Sequence, residues 1–349
     1  MTSIDSSPQE VEVFAWLTGQ HDNIGDSALR RAYADMLRTR GRLHVWAGDP
    51  NAGYVSGLRL EEGELIPTFG RWYRGFVRSV LRGRALFAFN AGEFVVTRGY
   101  LVGVLLLLPW IVLLRIRKGE VLWLGASIRL LRKGFGWPFR LLAKLSTSVR
   151  WRDTRSSETM HVSADVMPDW AFALAGSPAG KPDRPRRYLA ISLRGDRTPP
   201  GREWLDATAA TAERLGLRPI VVTQVERDGS CGKTMAEYLG CEFIPWTHDS
   251  HLEQERLVRE VYADSRLIVS DRLHALIIAA TEGAIPLSWT PEPTPKVAIH
   301  LDVVGYHDAD LHGDRAIAAL NSLDEESLRA RQSMLTDALA RARGSLRGL

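Results

Sequence analysis

A chain of 349 residues, 45% hydrophobic and 25% charged, has an ordinary globular composition, and its length favours two domains over one. The two cysteines, Cys231 and Cys241, offer neither a metal-ligand spacing nor a disulfide framework, and the N-terminus MTSIDSSPQEVEVF lacks the basic-then-apolar order of a signal peptide, so a cytoplasmic protein without cysteine chemistry is expected. The net charge of +4 conceals a segregation: residues 71–155 carry 17 Lys or Arg against three acids (Glu93, Glu120 and Asp153), a block of +14 that implies a partner.

In chain order, residues 11–17 alternate as a strand. A loop, TGQHDNIGD, follows, and then Ala28, Leu29, Ala32, Tyr33, Met36 and Leu37 fall on one helical face. Further strands are predicted at 43–47, 85–89 and 121–124, separated by polar or helical stretches, which is β/α alternation. Inside the basic block, residues 101–114 (LVGVLLLLPWIVLL) form an unbroken apolar run containing Gly103 and Pro109. The run is shorter than the roughly 20 residues a bilayer span needs, and reads either as a buried helix or as an interfacial segment. A basic helical stretch at 135–145 precedes short segments at 148–153 and 161–165.

Residues 175–187 (AGSPAGKPDRPRR) concentrate Gly, Pro and charge as a domain linker does. The division predicted is an N-terminal domain at 1–175, a linker at 176–187 and a C-terminal domain at 188–349. The second half alternates again, with strands at 188–193, 219–223, near Phe243, at 267–269 and at 285–288, helices between them, and a last helix from Asp324 to about Arg343. The fold class expected is α/β, two Rossmann-like domains facing each other across a cleft, with ligands at the carboxyl ends of the strands. Ser270-Asp271-Arg272-Leu273-His274-Ala275 lies at such an end and opens a helix. Unpaired N–H groups and the helix dipole attract anions there, and an added arginine argues for phosphate or carboxylate.

Several segments occur in the order in which one family carries its motifs. Asn23-Ile24-Gly25-Asp26 matches an N-x-G-D loop, Phe89-Asn90-Ala91-Gly92-Glu93 stands where a glycine run is usual, and Leu124-Gly125-Ala126-Ser127-Ile128 resembles Gly-x-Ser-Ile-Gly. Arg152-Asp153-Thr154-Arg155-Ser156 matches Arg-Asp-x-x-Ser, and Val162-Ser163-Ala164-Asp165 a short strand ending in Asp. Ser192-Leu193-Arg194 matches a strand ending in arginine, Arg272-Leu273-His274-Ala275 the R-L-H-A hallmark, and Pro295-Lys296-Val297 a Pro-Lys-Val. Across roughly residues 11–305 the chain resembles the polysaccharide pyruvyltransferases, whose fold is like that of the GT-B glycosyltransferases. It departs from them in the single glycine at Gly92 and in Arg129, where Gly-Pro is common.

The resemblance implies transfer of pyruvate from phosphoenolpyruvate to two sugar hydroxyls as a ketal, with phosphate released. On that reading Arg194, Arg272, Leu273 and Lys296 bind the donor, the arginines by planar bidentate contacts and Lys296 as a point charge on the leaving phosphate. His274 is either the general acid or a phosphate ligand. The base for the acceptor hydroxyl is Asp26 or Glu93, Asp26 being alternatively a helix N-cap, and Asn23, Gly25 and Glu93 stand on the acceptor side. No metal, cofactor or nucleic acid is expected, and the acceptor is a cell-envelope glycan or exopolysaccharide that a lipid could carry. The basic and partly apolar N-terminal face suits an anionic membrane surface. Two rival readings are a GT-B glycosyltransferase using a nucleotide sugar and a non-catalytic assembly protein at the membrane.

Overall fold

The computed structural model describes residues 10–49, 51–131, 134–174, 185–290, 297–307, 309–312 and 314–349. The chain divides into two compact units: Met1–Gly19, Arg30–Asn51 and Leu58–Met167 form the first, and Gln20–Leu29, Ala52–Gly57 and Pro168–Leu349 the second. The boundary therefore falls before 175, and two short N-terminal stretches fold with the second unit. The expected linker at 176–187 lies outside the described residues as far as 184.

The first half of the chain contains β1 (Glu12–Trp16), α1 (Ile24–Arg38), β2 (Arg42–Trp46), α2 (Ala52–Leu58), α3 (Phe69–Leu81), β3 (Ala85–Ala88), β4 (Gly92–Val95), α4 (Arg98–Ile116), β5 (Val121–Leu130), α5 (Gly136–Leu145), β6 (Ser148–Trp151) and α6 (Thr154–Met160). Its sheet is parallel, in the order β2-β1-β3-β5-β4, with β6 on β5. The strand sequence predicted near 121–124 extends through Gly125, whose φ of +82° sits at the irregularity where β5 turns from one partner to the next. Aromatic side chains dominate the core: Trp16 stacks on Tyr100 at 5.1 Å and meets Phe89 edge-on at 5.3 Å, and Trp123 meets Trp151 at 5.1 Å. The apolar run 101–114 is the body of α4, one face buried and the other exposed, so neither expectation for it holds alone.

The second half continues with β7 (Tyr188–Ser192), α7 (Arg202–Arg214), β8 (Arg218–Val222), α8 (Gly229–Leu239), β9 (Glu242–Ile244), α9 (His251–Ala263), β10 (Ser265–Ser270), α10 (Leu273–Thr281), β11 (Ile285–Thr290), α11 (Ala298–Asp302), β12 (Asp310–His312), α12 (Asp314–Ser322) and α13 (Glu325–Arg347). All its strand pairs are parallel, in the order β12-β11-β10-β7-β8-β9. Counted from the first strand of the sheet this is the doubly wound order 3-2-1-4-5-6. The order reverses between β7 and β10, so their carboxyl-terminal loops leave in opposite directions and open a crevice. The central runs of both strands at this point are apolar, with Leu189, Ala190, Ile191, Leu267, Ile268 and Val269 buried, as a sheet covered on both faces requires.

Candidate functional site

Of the residues singled out in the second half, Arg194, Arg272 and His274 converge on that switch point. Ser192 and Ser270 end β7 and β10 in register, and the Ser270 hydroxyl donates to the Ser192 carbonyl. Beyond them the chain delivers Arg194 from one strand and Asp271-Arg272 from the other. The Asp271 carboxylate accepts the Arg194 backbone N–H at 2.9 Å and faces Nη1 of Arg197 at 3.5 Å. Burial pushes Asp271 up to about 6, against the opposing pull of the Arg194 N–H and of Arg197, Arg272 and Arg194.

Each arginine is braced by a carboxylate. Arg272, 8% exposed, donates from Nε to Oδ2 of Asp228 at 2.7 Å and from Nη2 to Oδ1 at 2.6 Å. Arg194 does the same to Asp196, at 2.7 Å and 2.7 Å, and this hydrogen-bonded guanidinium holds the Asp196 carboxyl well below the usual carboxylate range. Asp228 also accepts the Gly195 N–H at 2.8 Å, tying the two arms together. In both pairs the acid takes the Nε/Nη2 edge of the guanidinium. Among the described residues Nη1 has no hydrogen-bond partner in either arginine, so the end-on edge remains for a ligand. Arg272 is itself the N-cap of α10 (φ −97°, ψ 113°) and no side chain caps that helix; Leu273, half-buried, is its first residue. Lys296 lies outside the described residues.

His274, in the first turn of α10, is 9% exposed. Its Nε2 is 3.5 Å from Oδ2 of Asp169 and, among the described residues, makes no hydrogen bond. The other side of the ring meets the N-terminal motif. A Cβ placed on Gly25 would stand 2.3 Å from Cβ of His274 and 2.5 Å from Nδ1, so only glycine lets this turn approach the imidazole. Asn23 holds the turn in place: its Oδ1 accepts the Gly25 N–H at 3.0 Å and Nε2 of Gln224 at 2.9 Å. Asn23 also bridges Val225, and Asp22 takes the Arg227 guanidinium on both oxygens at 2.5 Å. Asp26, half-buried, accepts the Gln20 N–H at 2.9 Å.

Asn23, Gly25 and Asp26, expected on the N-terminal domain, thus fold with the second unit, beside the residues expected to bind the donor. Because α1 starts at Ile24, Asp26 is not its N-cap; Asn23 occupies that position. Glu93 belongs to the first unit. It lies on β4 with Oε1 3.5 Å from Nε of Arg129. Asn90, from the same loop, is built into the first unit: its Oδ1 accepts Nε of Arg30 at 2.9 Å and its Nδ2 donates to the Thr18 carbonyl at 2.8 Å.

Sequence reasoning passed over Asp169, Asp196, Asp228 and His251. His251 is fully buried, with Nδ1 3.0 Å from the Ser27 hydroxyl and Nε2 2.6 Å from the His21 carbonyl, and burial lowers its pKa. Asp228 had a signal. It follows β8, the strand next to β7, and residues just past a strand's carboxyl end are where a doubly wound sheet places function.

The model of the polysaccharide pyruvyl transferase family matches residues 23–284, from the Asn23 motif through Arg272 and His274. The chain belongs to that family. It is accordingly a transferase, and a glycan is its acceptor. Among curated proteins no sequence matches. Three solved structures are similar throughout. A UDP-N-acetylglucosamine 2-epimerase superposes with a TM-score of 0.58 at 10% identity, covering 96% of this chain and 94% of that one. Staphylococcus aureus MnaA in a co-structure with UDP gives 0.55 at 12%, covering 97% and 94%. The UDP-GlcNAc 2-epimerase from Neisseria meningitidis bound to UDP-GlcNAc gives 0.55 at 10%, covering 96% and 97%. At such identities the likeness shows the fold, GT-B, and nothing of the chemistry. In this pyruvyl transferase the braced arginines, the uncapped helix start and the imidazole share one loop cluster.

Proposed function

We propose that the protein transfers the pyruvyl group of phosphoenolpyruvate to two hydroxyls of a cell-envelope or exopolysaccharide glycan, forming a cyclic ketal and releasing phosphate. The observation that carries this reading is the pair Arg194 and Arg272, held side-on by Asp196 and Asp228 at the switch point with their end-on edges available. The donor is a small polyanion with a planar carboxylate and a phosphate on one carbon, and two fixed guanidinium edges fit those two groups. The N–H groups of the α10 first turn add donors.

His274 stands next to this pair. In the reaction a proton adds to the methylene carbon, which becomes methyl, and the adjacent carbon becomes electrophilic. One hydroxyl oxygen bonds to that carbon and loses its proton. The second then displaces phosphate and loses its own, so two protons leave the sugar while one enters the methyl group and one balances the phosphate. His274 supplies the carbon-bound proton or holds the phosphate, and Asp26 serves as base in exchange for its bond to the loop. Lys296 acts on the leaving phosphate. Phosphoenolpyruvate is a cytoplasmic metabolite, so on this reading the reaction runs in the cytoplasm.

The test is turnover. Purified protein should release phosphate from phosphoenolpyruvate only with a suitable glycan present, and the glycan should gain the mass of a pyruvate ketal. Gain of a hexose from a nucleotide sugar in its place would refute the proposal.

A further inference from the structure

We infer that the helical face of the first unit built on α4 is a docking surface for an anionic lipid bilayer, with α4 lying in the plane of the interface. The inference is independent of the reaction at Arg272. By length and composition α4, 19 residues long, could cross a membrane. Its inner face is nonetheless committed to the core: Val104, Leu107 and Ile111 are fully buried, and Gly103 lies so close to Trp16 that a Cβ would come within 2.4 Å of the ring. The outer face carries Val102, Leu105, Leu106, Val112 and Ile116, all exposed, Val102 by 56% and Ile116 by 72%. At 100° per residue these five fall within about a third of the helix circumference. A helix apolar all round belongs inside a protein or in lipid, and this one is half out of the protein.

The patch continues onto α5, which packs against α4 and exposes Trp137, Leu141 and Lys144 at successive turns. In the second unit only Tyr238 and Leu252 are large hydrophobics exposed to this degree among the described residues.

Charge decides what covers the patch. On α3 the exposed positions Arg71, Arg74 and Arg78 form a stripe that Arg82 extends. The helix is fastened to α4 through Tyr73, which donates to the Leu106 carbonyl at 3.3 Å and accepts Nε1 of Trp110 at 2.6 Å. Arg71, Arg78, Arg82 and Arg84 line a pocket of about 240 Å³, whose single carboxylate, Glu12, is already paired with His44. Nε of Arg84 is buried there with no hydrogen-bond partner among the described residues. A second copy of the chain would bring two such basic faces together. An anionic bilayer offers phosphates to the arginines and an apolar layer to α4, with Tyr73, Trp110 and Trp137 suited to the boundary.

Vesicle co-sedimentation of the full chain tests this. Binding to phosphatidylglycerol vesicles is expected at low salt, released by high salt and weak on phosphatidylcholine. Arg74→Gln should weaken it about fivefold. Val102→Ser with Ile116→Ser, both at exposed positions, should reduce it further while leaving phosphoenolpyruvate turnover on a soluble glycan unchanged. Lipids brominated in their acyl chains should quench tryptophan emission, by less in Trp137→Phe. Equal binding to neutral vesicles, no binding at all, or a dimer in solution that Ile116→Glu dissociates would each overturn the inference.

Discussion

Replacing Asp228 by Asn keeps the size of the side chain and removes one charge from a buried pair. Oδ1 of Asp228 accepts both the Gly195 N–H and Nη2 of Arg272, while Oδ2 accepts Nε. An asparagine can keep one of these edges and must point its amide donors at the other, so a guanidinium 8% exposed faces a donor in place of an acceptor. Breaking a buried pair from one side costs about 3–5 kcal/mol, because the remaining charge is left uncompensated. Urea denaturation of Asp228→Asn without ligand should show a loss of that order. An anion that neutralises Arg272 should restore part of it: phosphoenolpyruvate at 100 times its dissociation constant returns about 2.7 kcal/mol. Turnover should fall as well, because the fork is no longer aimed. A variant as stable as the parent without ligand, or one that phosphoenolpyruvate does not stabilise, would show that Asp228 does not brace Arg272 for the donor.

Arg272→Lys keeps the charge and loses the fork, and should reduce kcat/KM by about 10–100-fold, measured by phosphate release. His274→Ala should lower kcat by about 10²–10⁴-fold if the imidazole delivers the proton, and chiefly raise the donor KM if it holds phosphate; unchanged values of both would remove it from the site. Gly25→Ala sets two effects in opposition: helix propensity favours alanine by about 1 kcal/mol, but the contact of 2.3 Å with His274 is overpacking of about 1–3 kcal/mol, so thermal unfolding should show net destabilisation, together with lost activity. Asp271 has a folded pKa of about 6, above its unfolded value near 4. Its contribution to stability is therefore complete below about pH 4 and lost as pH rises through about 6, by about 3 kcal/mol. Asp271→Asn should flatten denaturation profiles across that window and leave the protein more stable than the parent at pH 7.

The second sheet was legible strand by strand, because its strands are short apolar runs between helices with clear periodicity, and only its last elements, from α11 to α12, escaped notice. The first sheet was harder to read. β4 is short and two-sided, with Glu93 and Val95 outward, and begins where the family has its glycine run, so no strand was expected there. Of the site, the cationic half was visible in Arg194, Arg272 and His274. The acidic half was not, since an aspartate after a strand has the same local pattern whether it caps a helix or braces an arginine 44 residues away. Nor could spacing show that Gly25 meets His274, a contact made across some 250 residues of chain by a turn that folds with the other unit.

The acids of the cluster present a difficulty that their geometry resolves. Arg194, Arg197 and Arg272 are matched by Asp196, Asp228 and Asp271, so the site approaches its ligand near neutrality, and a site selected for affinity toward a trianion would omit the carboxylates. Unbraced, however, three guanidinium groups at one sheet edge would repel one another and point outward into water. The carboxylates hold two of them by their Nε/Nη2 edges, fixing the plane and direction of what remains. Orientation is thereby set before the ligand arrives, and the ligand need not supply it. Such a site discriminates by shape more than by charge: an anion that lacks two acceptor groups for the two fixed edges gains little from a nearly neutral cluster. On the function proposed above, the two groups those edges receive are the carboxylate and the phosphate that one enol carbon of the donor carries.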